Sequence, residues 1–345
     1  MGSCGDFLDV LGPDVSFEVL KHFNDPSDYV RITCVSRSWR QFVIANGLCK
    51  RLCSQLFPEA SFFNSVIEER NLKGRINIRS SSYSVEWDRL EREHRIYARL
   101  ARGLTSARNT RNCIHKAISA SSTDNFPEES IDNTLEPRDE VKGRPSYWSS
   151  VGKVGAAGRP ETLTYKLKSQ LCVVEEINIQ PFEAYFQRGQ PIYSAQAVRF
   201  RMGYSKYLLN KESSISNNTE ESPRPDDSYI WTYTSPEFPM AQKNGLQTFK
   251  LPQPVICMGG ILQIELLGGI QKQALDGLYY ICICHVQVMG RPLSEFDIFI
   301  HGFPENCTLI YSPSKPFDEG NGSGWHAFMA RIGRLRTFSL RAPGF

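Results

Sequence analysis

Ten cysteines and six histidines are the residues of this 345-residue chain best suited to metal or thiol chemistry, and their spacing supports neither. Cys49 and Cys53 stand four apart and Cys282 and Cys284 two apart, without the paired CxxC knuckles of a zinc site. His94 falls on the apolar stripe of a helical pattern with Ala98 four residues on, so it reads as a packed histidine. Adjacent acids at Glu128-Glu129, Glu175-Glu176 and Asp226-Asp227 lie in turns or strand ends, where solvated charge explains them. HExxH, GxSxG, GxGxxG and phosphate-loop patterns are absent, and Gly320-Asn321-Gly322-Ser323-Gly324 is a flexible turn with no GK[ST] after it. The sequence therefore predicts no catalytic residue, no metal and no cofactor, and points to a protein that works by binding.

The residues that such binding needs are apolar and aromatic, and they recur at helical spacing between Leu11 and Trp39. Pro13, preceded by Gly12, sets φ for a first turn, and Val15, Val19, Leu20 and Phe23 follow as an amphipathic face. Asp25 offers an N-cap oxygen, Pro26 occupies a position where a missing N–H costs nothing, and Asp28 suits the positive first turn of a second helix. Tyr29, Ile32 and Val35 form its apolar row. Ser36 caps a third helix carrying Trp39, Phe42 and Val43, which Asn46-Gly47 stops. A further helix with Leu48, Leu52 and Leu56 ends at Pro58. A unit this small buries too little surface to be comfortable alone, so it calls for a neighbour or a partner.

Beyond it, residues 60–82 give no clear pattern. Trp87, Leu90, His94, Tyr97, Ala101 and Leu104 then mark one stripe of a helix over Val85 to Leu104, with Glu91, Arg95 and Arg99 spaced for a solvated, salt-laced face. After Asn109 the texture changes to short β-branched and aromatic segments broken by Gly, Pro, Ser and Asn. Seven strands are expected, at Leu163 to Leu167, Cys172 to Gln180, Gln196 to Met202, Tyr229 to Tyr233, Leu246 to Leu251, Gly260 to Leu267 and Tyr279 to Met289. Seven suit a β-sandwich. In the last, strict alternation sets Tyr280, Cys282, Cys284, Val286 and Val288 against Ile281, Ile283 and His285, making the cysteines core residues of a central strand. The polar stretch Asn210 to Ser228 reads as a mobile loop with possible regulatory serines. Trp325, Phe328, Ile332, Leu335 and Phe338 suggest one more strand or helix near the end.

Two resemblances rest on these residues. Leu11, Pro13, Asp14, Val19-Leu20, Asp28 and the run Val35-Ser36-Arg37-Ser38-Trp39 resemble an F-box. Ala120-Ser121-Ser122, Ile131-Asp132-Asn133, Tyr147-Trp148-Ser149-Ser150 and Leu163-Thr164-Tyr165-Lys166-Leu167 resemble the opening of a discoidin or galactose-binding-like jelly roll. Leu246 to Leu251, Gly260 to Leu267 and Val286-Gln287-Val288-Met289-Gly290 keep its order. Together they resemble a group of plant F-box proteins. The expected architecture is multidomain, α plus all-β: an F-box of three helices over 1–58, a helical linker over 59–110, an antiparallel galactose-binding-like β-sandwich over 111–292 and a C-terminal extension over 293–345.

The resemblance implies a substrate-recognition subunit of an SCF-type (Skp1-cullin-F-box) ubiquitin ligase. Such a subunit is not an enzyme; it raises the effective concentration of a target near a ubiquitin-loaded partner. Leu11, Pro13, Val15, Val19, Ile32, Val35 and Trp39 are then the Skp1-facing residues or their support. Trp148, Tyr193 and Trp231 are candidates to stack on a sugar or anchor a peptide, against a core role for each. The alternative is a free-standing intracellular carbohydrate- or peptide-binding module whose helical N-terminus is only structural.

Charge argues against nucleic acid: 40 Lys plus Arg against 37 Asp plus Glu leave only +3, and Arg331, Arg334, Arg336 and Arg341 read as a basic edge. Neither a secretory leader nor an apolar run of membrane-spanning length is apparent, so reduced thiols and a cytoplasmic or nuclear location are expected. Met1-Gly2-Ser3-Cys4 is not read as a lipidation signal because Asp6 stands where Ser or Thr is required, and the sequons at Asn217, Asn306 and Asn321 are read as chance matches.

Overall fold

The structure, a computed structural model, describes residues 6–69, 82–106, 110–137, 140–141, 143–156, 158–206, 228–302 and 306–313. The 210–227 stretch, the Gly320 to Gly324 turn, the last aromatic residues, the basic tail and Met1 to Cys4 lie outside the described residues.

Four helices open the chain: α1 (Phe7–Leu20), α2 (Pro26–Ile32), α3 (Arg37–Ala45) and α4 (Leu48–Leu56). The caps fall where side-chain chemistry places them. Asp25 accepts from Ser27 N at 2.7 Å, Pro26 opens α2, and Ser36 Oγ accepts from Trp39 N at 3.2 Å. The first helix differs from its expected start at Pro13. Asp6 caps an earlier turn by accepting from Leu8 N, and Gly12 at φ 72° breaks the helical path before Pro13 resumes it. A non-glycine residue meets steric strain at that φ.

A 3₁₀ turn at Pro58–Phe62 leads into β1 (Phe63–Glu68), and α5 (Ser82–Thr105) follows. The charge ladder expected along α5 holds at Arg89, which pairs with Glu86 and Glu93, each at 2.6 Å, but gives way to tertiary pairs at Glu91 and Arg95. Glu91, buried, binds Arg40 of α3, and Arg95 reaches Glu68 of β1 at 2.6 Å. An i,i+4 pair is worth only a few tenths of a kcal/mol, so a geometry that brings a partner from another element overrides it.

The remaining strands run β2 (Arg111–Asn112), β3 (Ile114–Ala120), β4 (Glu140–Val141), β5 (Arg144–Pro145), β6 (Trp148–Ser149) and β7 (Glu161–Leu167). Next come β8 (Leu171–Glu183), β9 (Ile192–Tyr193), β10 (Ala195–Ser205), β11 (Tyr229–Thr234) and β12 (Phe238–Pro239). The series closes with β13 (Gln247–Met258), β14 (Ile261–Gly269), β15 (Gln271–Lys272), β16 (Tyr279–Tyr280), β17 (Cys282–Pro292), β18 (Phe296–Gly302) and β19 (Asn306–Tyr311). One large sheet is ordered β11-β10-β14-β7-β3 and the other β13-β8-β17-β2, all pairings antiparallel, with the short β12, β6 and β9 attached at their flanks. The architecture is a helical N-terminal unit joined to an antiparallel β-sandwich.

Period-two alternation builds the sandwich core. Val198, Phe200 and Met202 of β10 and Leu262, Ile264 and Leu266 of β14 face Ile177, Ile179, Val286 and Val288 of the opposite sheet. Along β17 the alternation slips. A bulge between Ile283 and His285 inserts one extra residue, so Ile283, Val286 and Val288 enter one core while Cys282 and Cys284 enter a small separate cluster with Phe182 and Tyr193. The two faces expected from strict alternation are therefore corrected at Cys284.

The outer face of the second sheet is covered as well. Leu171 and Val173 of β8 and Ile256 and Met258 of β13 join the core of the helices, with Leu52, Tyr97 and Leu100. That double burial explains why these strands are apolar at consecutive positions. Arg291 of β17 crosses the seam, donating from Nη2 to Leu104 O near the end of α5 at 2.9 Å and pairing with Glu175. On the far side β1 runs parallel to β19, which pairs antiparallel with β18, so the segment after residue 293 returns to the chain that precedes α5.

Candidate functional site: an exposed apolar row and an aromatic cleft

The seven N-terminal candidates divide by burial. Leu11 (37% exposed), Val15 (49%), Val19 (43%) and Val35 (63%) are open to solvent, and Pro13 is exposed beside them. Leu11, Val15 and Val19 repeat every four residues along α1, while Ser16 and Leu20 of the same helix point inward. Ile32 is 9% exposed and belongs to the helical core. Trp39 is half-buried: its ring stacks on Phe7 at 5.5 Å, and its Nε1 donates to Asp6 Oδ1 at 2.6 Å. Among the described residues nothing covers these three valines, and each forgoes roughly half of the about 1.5–3 kcal/mol that full burial of its side chain would contribute.

At the other end of the sandwich the strand ends and loops form a cleft of about 120 Å³. Four segments far apart in sequence meet there. Tyr147, just before β6, lies stacked on Phe182 of β8 with centroids 4.0 Å apart and planes at 16°. Phe186 follows in the turn after β8, and Tyr193 of β9 meets Tyr280 of β16 edge-on at 6.5 Å and 89°. Asp124 and Glu129 line the cleft from the loop after β3, and Asn133 fixes that loop by donating to the Glu128 and Tyr147 carbonyls at 2.7 and 2.9 Å.

The three phenols have committed their protons. Tyr147 donates to Glu129 Oε1, Tyr193 to Gln187 Oε1 and Tyr280 to Asp276 Oδ2, each at 2.7 Å. Burial and the Glu129 carboxylate push Tyr147 above the ordinary phenol range, and the hydrogen bond to Asp276 followed by burial does the same for Tyr280. No ion pair engages Asp124, Glu129 or Asp276 among the described residues. A neighbouring cavity of about 20 Å³ is unlike it, being far smaller and with Lys153 already paired there to the buried Glu161 at 2.5 Å.

Of the three sandwich candidates, only Tyr193 lines the aromatic cleft. Trp148 is fully buried with Nε1 donating to Ser122 O at 3.0 Å, so its ring belongs to the core. Trp231 is half-buried on β11 beside Tyr229, 5.4 Å between centroids, away from the cleft lining. Sequence reasoning missed Asp124, Glu129, Phe182, Phe186, Tyr280 and Tyr147; the last lies next to Trp148 and turns to the opposite side, as the period of two requires.

Cys34 is exposed, but the other eight described cysteines behave as core residues: burial pushes Cys49 and Cys257 up to about 12 and raises Cys53 and Cys282 as well. Among the described residues no group of three or more His, Cys, Asp or Glu side chains could hold a metal ion. No helix of the described residues is long and apolar enough to cross a membrane.

An F-box protein of Arabidopsis thaliana is 48% identical over 296 residues, which cover 84% of this chain and 77% of the relative. The chain belongs to the F-box protein family. No protein-family model matches it. Solved structures to which this F-box protein is similar include discoidin II of Dictyostelium discoideum, with 9% identity, a TM-score of 0.35, and coverage of 56% of this chain and 62% of that one. Another is the family 32 carbohydrate-binding module of C. perfringens NanJ in complex with galactose, with 14% identity, a TM-score of 0.29, and coverage of 50% of this chain and 98% of that one.

Proposed function

We propose that this F-box protein is the substrate-recognition subunit of an SCF-type ubiquitin ligase, docking Skp1 through its N-terminal helices and presenting a target protein on its sandwich. The observation that carries the reading is the exposed row Leu11, Val15, Val19 and Val35 in a family member, since apolar anchors of this kind dominate protein contacts. Ile32 and Trp39 act as support rather than contact, through the helical core and the Asp6 bond. In this reading residues 1–58 are the adaptor-binding unit, 59–110 the link, 111–292 the capture unit and 293–345 an extension whose first strands return to the link.

The chemistry is positional. The helical unit and the sandwich share one apolar core, and Arg291 and β1 span the joint, so a target held on the sandwich keeps a fixed distance from the adaptor. That constraint is what raises effective concentration. A pull-down of the purified chain with Skp1 tests it. Wild type should bind, and a Val15→Asp, Val19→Asp, Val35→Asp variant with an unchanged far-UV spectrum should not. Absence of wild-type binding would leave the helices structural and favour a free-standing binding module.

A further inference from the structure

The aromatic cleft is anionic and rich in hydrogen-bond acceptors. Tyr147, Tyr193 and Tyr280 have given their only protons to Glu129, Gln187 and Asp276, so what each phenolic oxygen still offers a ligand is lone pairs. Asp124 and Glu129 add carboxylate oxygens, the amides of Asn125, Gln187 and Gln273 bring some N–H donors, and among the described residues no lysine, arginine or histidine lines the cavity. Around these acceptors Tyr147, Phe182, Phe186, Tyr193 and Tyr280 set ring faces and edges at several angles instead of one flat platform. Such rings attract a positive charge through their quadrupoles.

Two side chains match an anionic, aromatic cavity: the lysine ammonium with three donors and the arginine guanidinium with five, both of which carry the positive charge that two carboxylates and ring faces attract. A sugar hydroxyl matches less well, because it carries no positive charge for the two carboxylates and the ring faces. Phe186, 54% exposed at the rim, and the exposed Tyr185 beside it give the aliphatic stem of such a side chain apolar surface to lie on.

We infer that this cleft captures a lysine or arginine side chain from an exposed basic segment of the target protein. The inference rests on the reading of the sandwich as the capture unit, and it holds whether or not the helices bind Skp1.

The test is fluorescence anisotropy on the full chain at about 0.15 M salt, where surface charges more than ~8 Å apart are screened. The probes are dye-labelled peptides alternating Lys and Ser or Arg and Ser, the same peptide with norleucine for Lys, and methyl galactoside as competitor. The Lys or Arg peptide should bind, the norleucine peptide at least about tenfold more weakly, and galactoside should not displace either. Asp124→Asn with Glu129→Gln, which preserve shape, and the rim variant Phe186→Ala should each lower affinity about tenfold. Asp88→Asn, an exposed carboxylate on α5, should leave it unchanged.

Absence of Lys or Arg peptide binding by wild type, equal binding of the norleucine peptide, unaltered binding by the cleft variants, equal loss in Asp88→Asn, or displacement by galactoside would each overturn the inference. A parallel Skp1 pull-down on the same proteins separates the two readings, since cleft variants should keep the adaptor. Wild type that binds peptide but not Skp1 would remove the ligase reading alone.

Discussion

Trp39 Nε1 and Leu8 N share one acceptor, Asp6 Oδ1, at 2.6 and 3.2 Å, so a single carboxylate caps α1 and ties its first turn to α3. Removing it should loosen the turn ahead of Gly12 and leave the later helices intact. Asp6→Ala is expected to cost about 1 kcal/mol, the usual value of an N-cap, and to shift Trp39 emission to the red as the indole loses its partner. Unchanged emission and denaturation midpoint would show that Phe7 stacking alone holds the turn.

Gly290 sits at a bulge of β17 where an added Cβ would come within 2.0 Å of Val173 O, and Gly203 in β10 would meet Ile230 O at 1.9 Å. Backbone cannot withdraw as a flexible side chain does. Gly290→Ala should therefore cost about 2–3 kcal/mol, read as a lowered urea midpoint. Gly158→Ala, with nothing within 4 Å, should stay near wild type. Equal midpoints for the two variants would refute the close-packing argument.

Arg291 satisfies a helix-end carbonyl and the Glu175 carboxylate at the joint between helices and sandwich. Truncation strips partners from both. Arg291→Met is expected to lower stability by about 2 kcal/mol, and Arg291→Met with Glu175→Gln by less than the sum of the single changes, because the neutral amide leaves no unpaired charge. Additive single effects would mean that the two groups act independently.

Burial, with Arg40 and Arg95 close by, pushes the His94 imidazole down to about 4, and its Nδ1 has no hydrogen-bond partner. The unfolded chain, with an ordinary histidine near 6.5, binds a proton that the folded chain refuses. Stability from this group is complete above pH ~6.5 and is lost as pH falls toward ~4, by at most about 3 kcal/mol. His94→Leu should flatten that part of the stability profile measured by urea titration at several pH values. An identical slope in variant and wild type would exclude His94 as a source of acid sensitivity.

The legibility of this protein in its sequence followed the range of the interaction concerned. Asp25, Pro26, Ser36 and Asn46-Gly47 act on backbone groups within a few residues, and they place the start of α2 and both ends of α3 where expected, although α2 stops at Ile32 and leaves Val35, assigned to its apolar row, in the turn beyond. The seven expected strands all have counterparts, because alternating apolar residues reveal a buried face, though the last divides at Ile281 into β16 and β17. The strands β1, β3, β18 and β19 escaped notice. β1 pairs with the distant β19 and has too little alternation to stand out, while β18 and β19, which pair with each other, fell in the stretch read only as an extension.

What the sequence by itself determined is therefore the local layer: helix starts and stops, the stripe of α5, the inward residues of most strands and the family signature carried by Leu11 to Trp39. Only tertiary structure decided that Ile32 is core while Val35, three residues later, is exposed, since each apolar residue is equally ready to be buried and the neighbour it finds makes the choice. Tertiary structure also turned Glu91 from Arg95 to Arg40, moved Cys284 across a bulge, and gathered Tyr147, Phe182, Tyr193 and Tyr280 around one cleft. The physical reason is the same in each case. Backbone capping is settled within one turn of chain, whereas burial, ion pairing and cavity shape depend on which distant segments the packed core brings within a few ångströms.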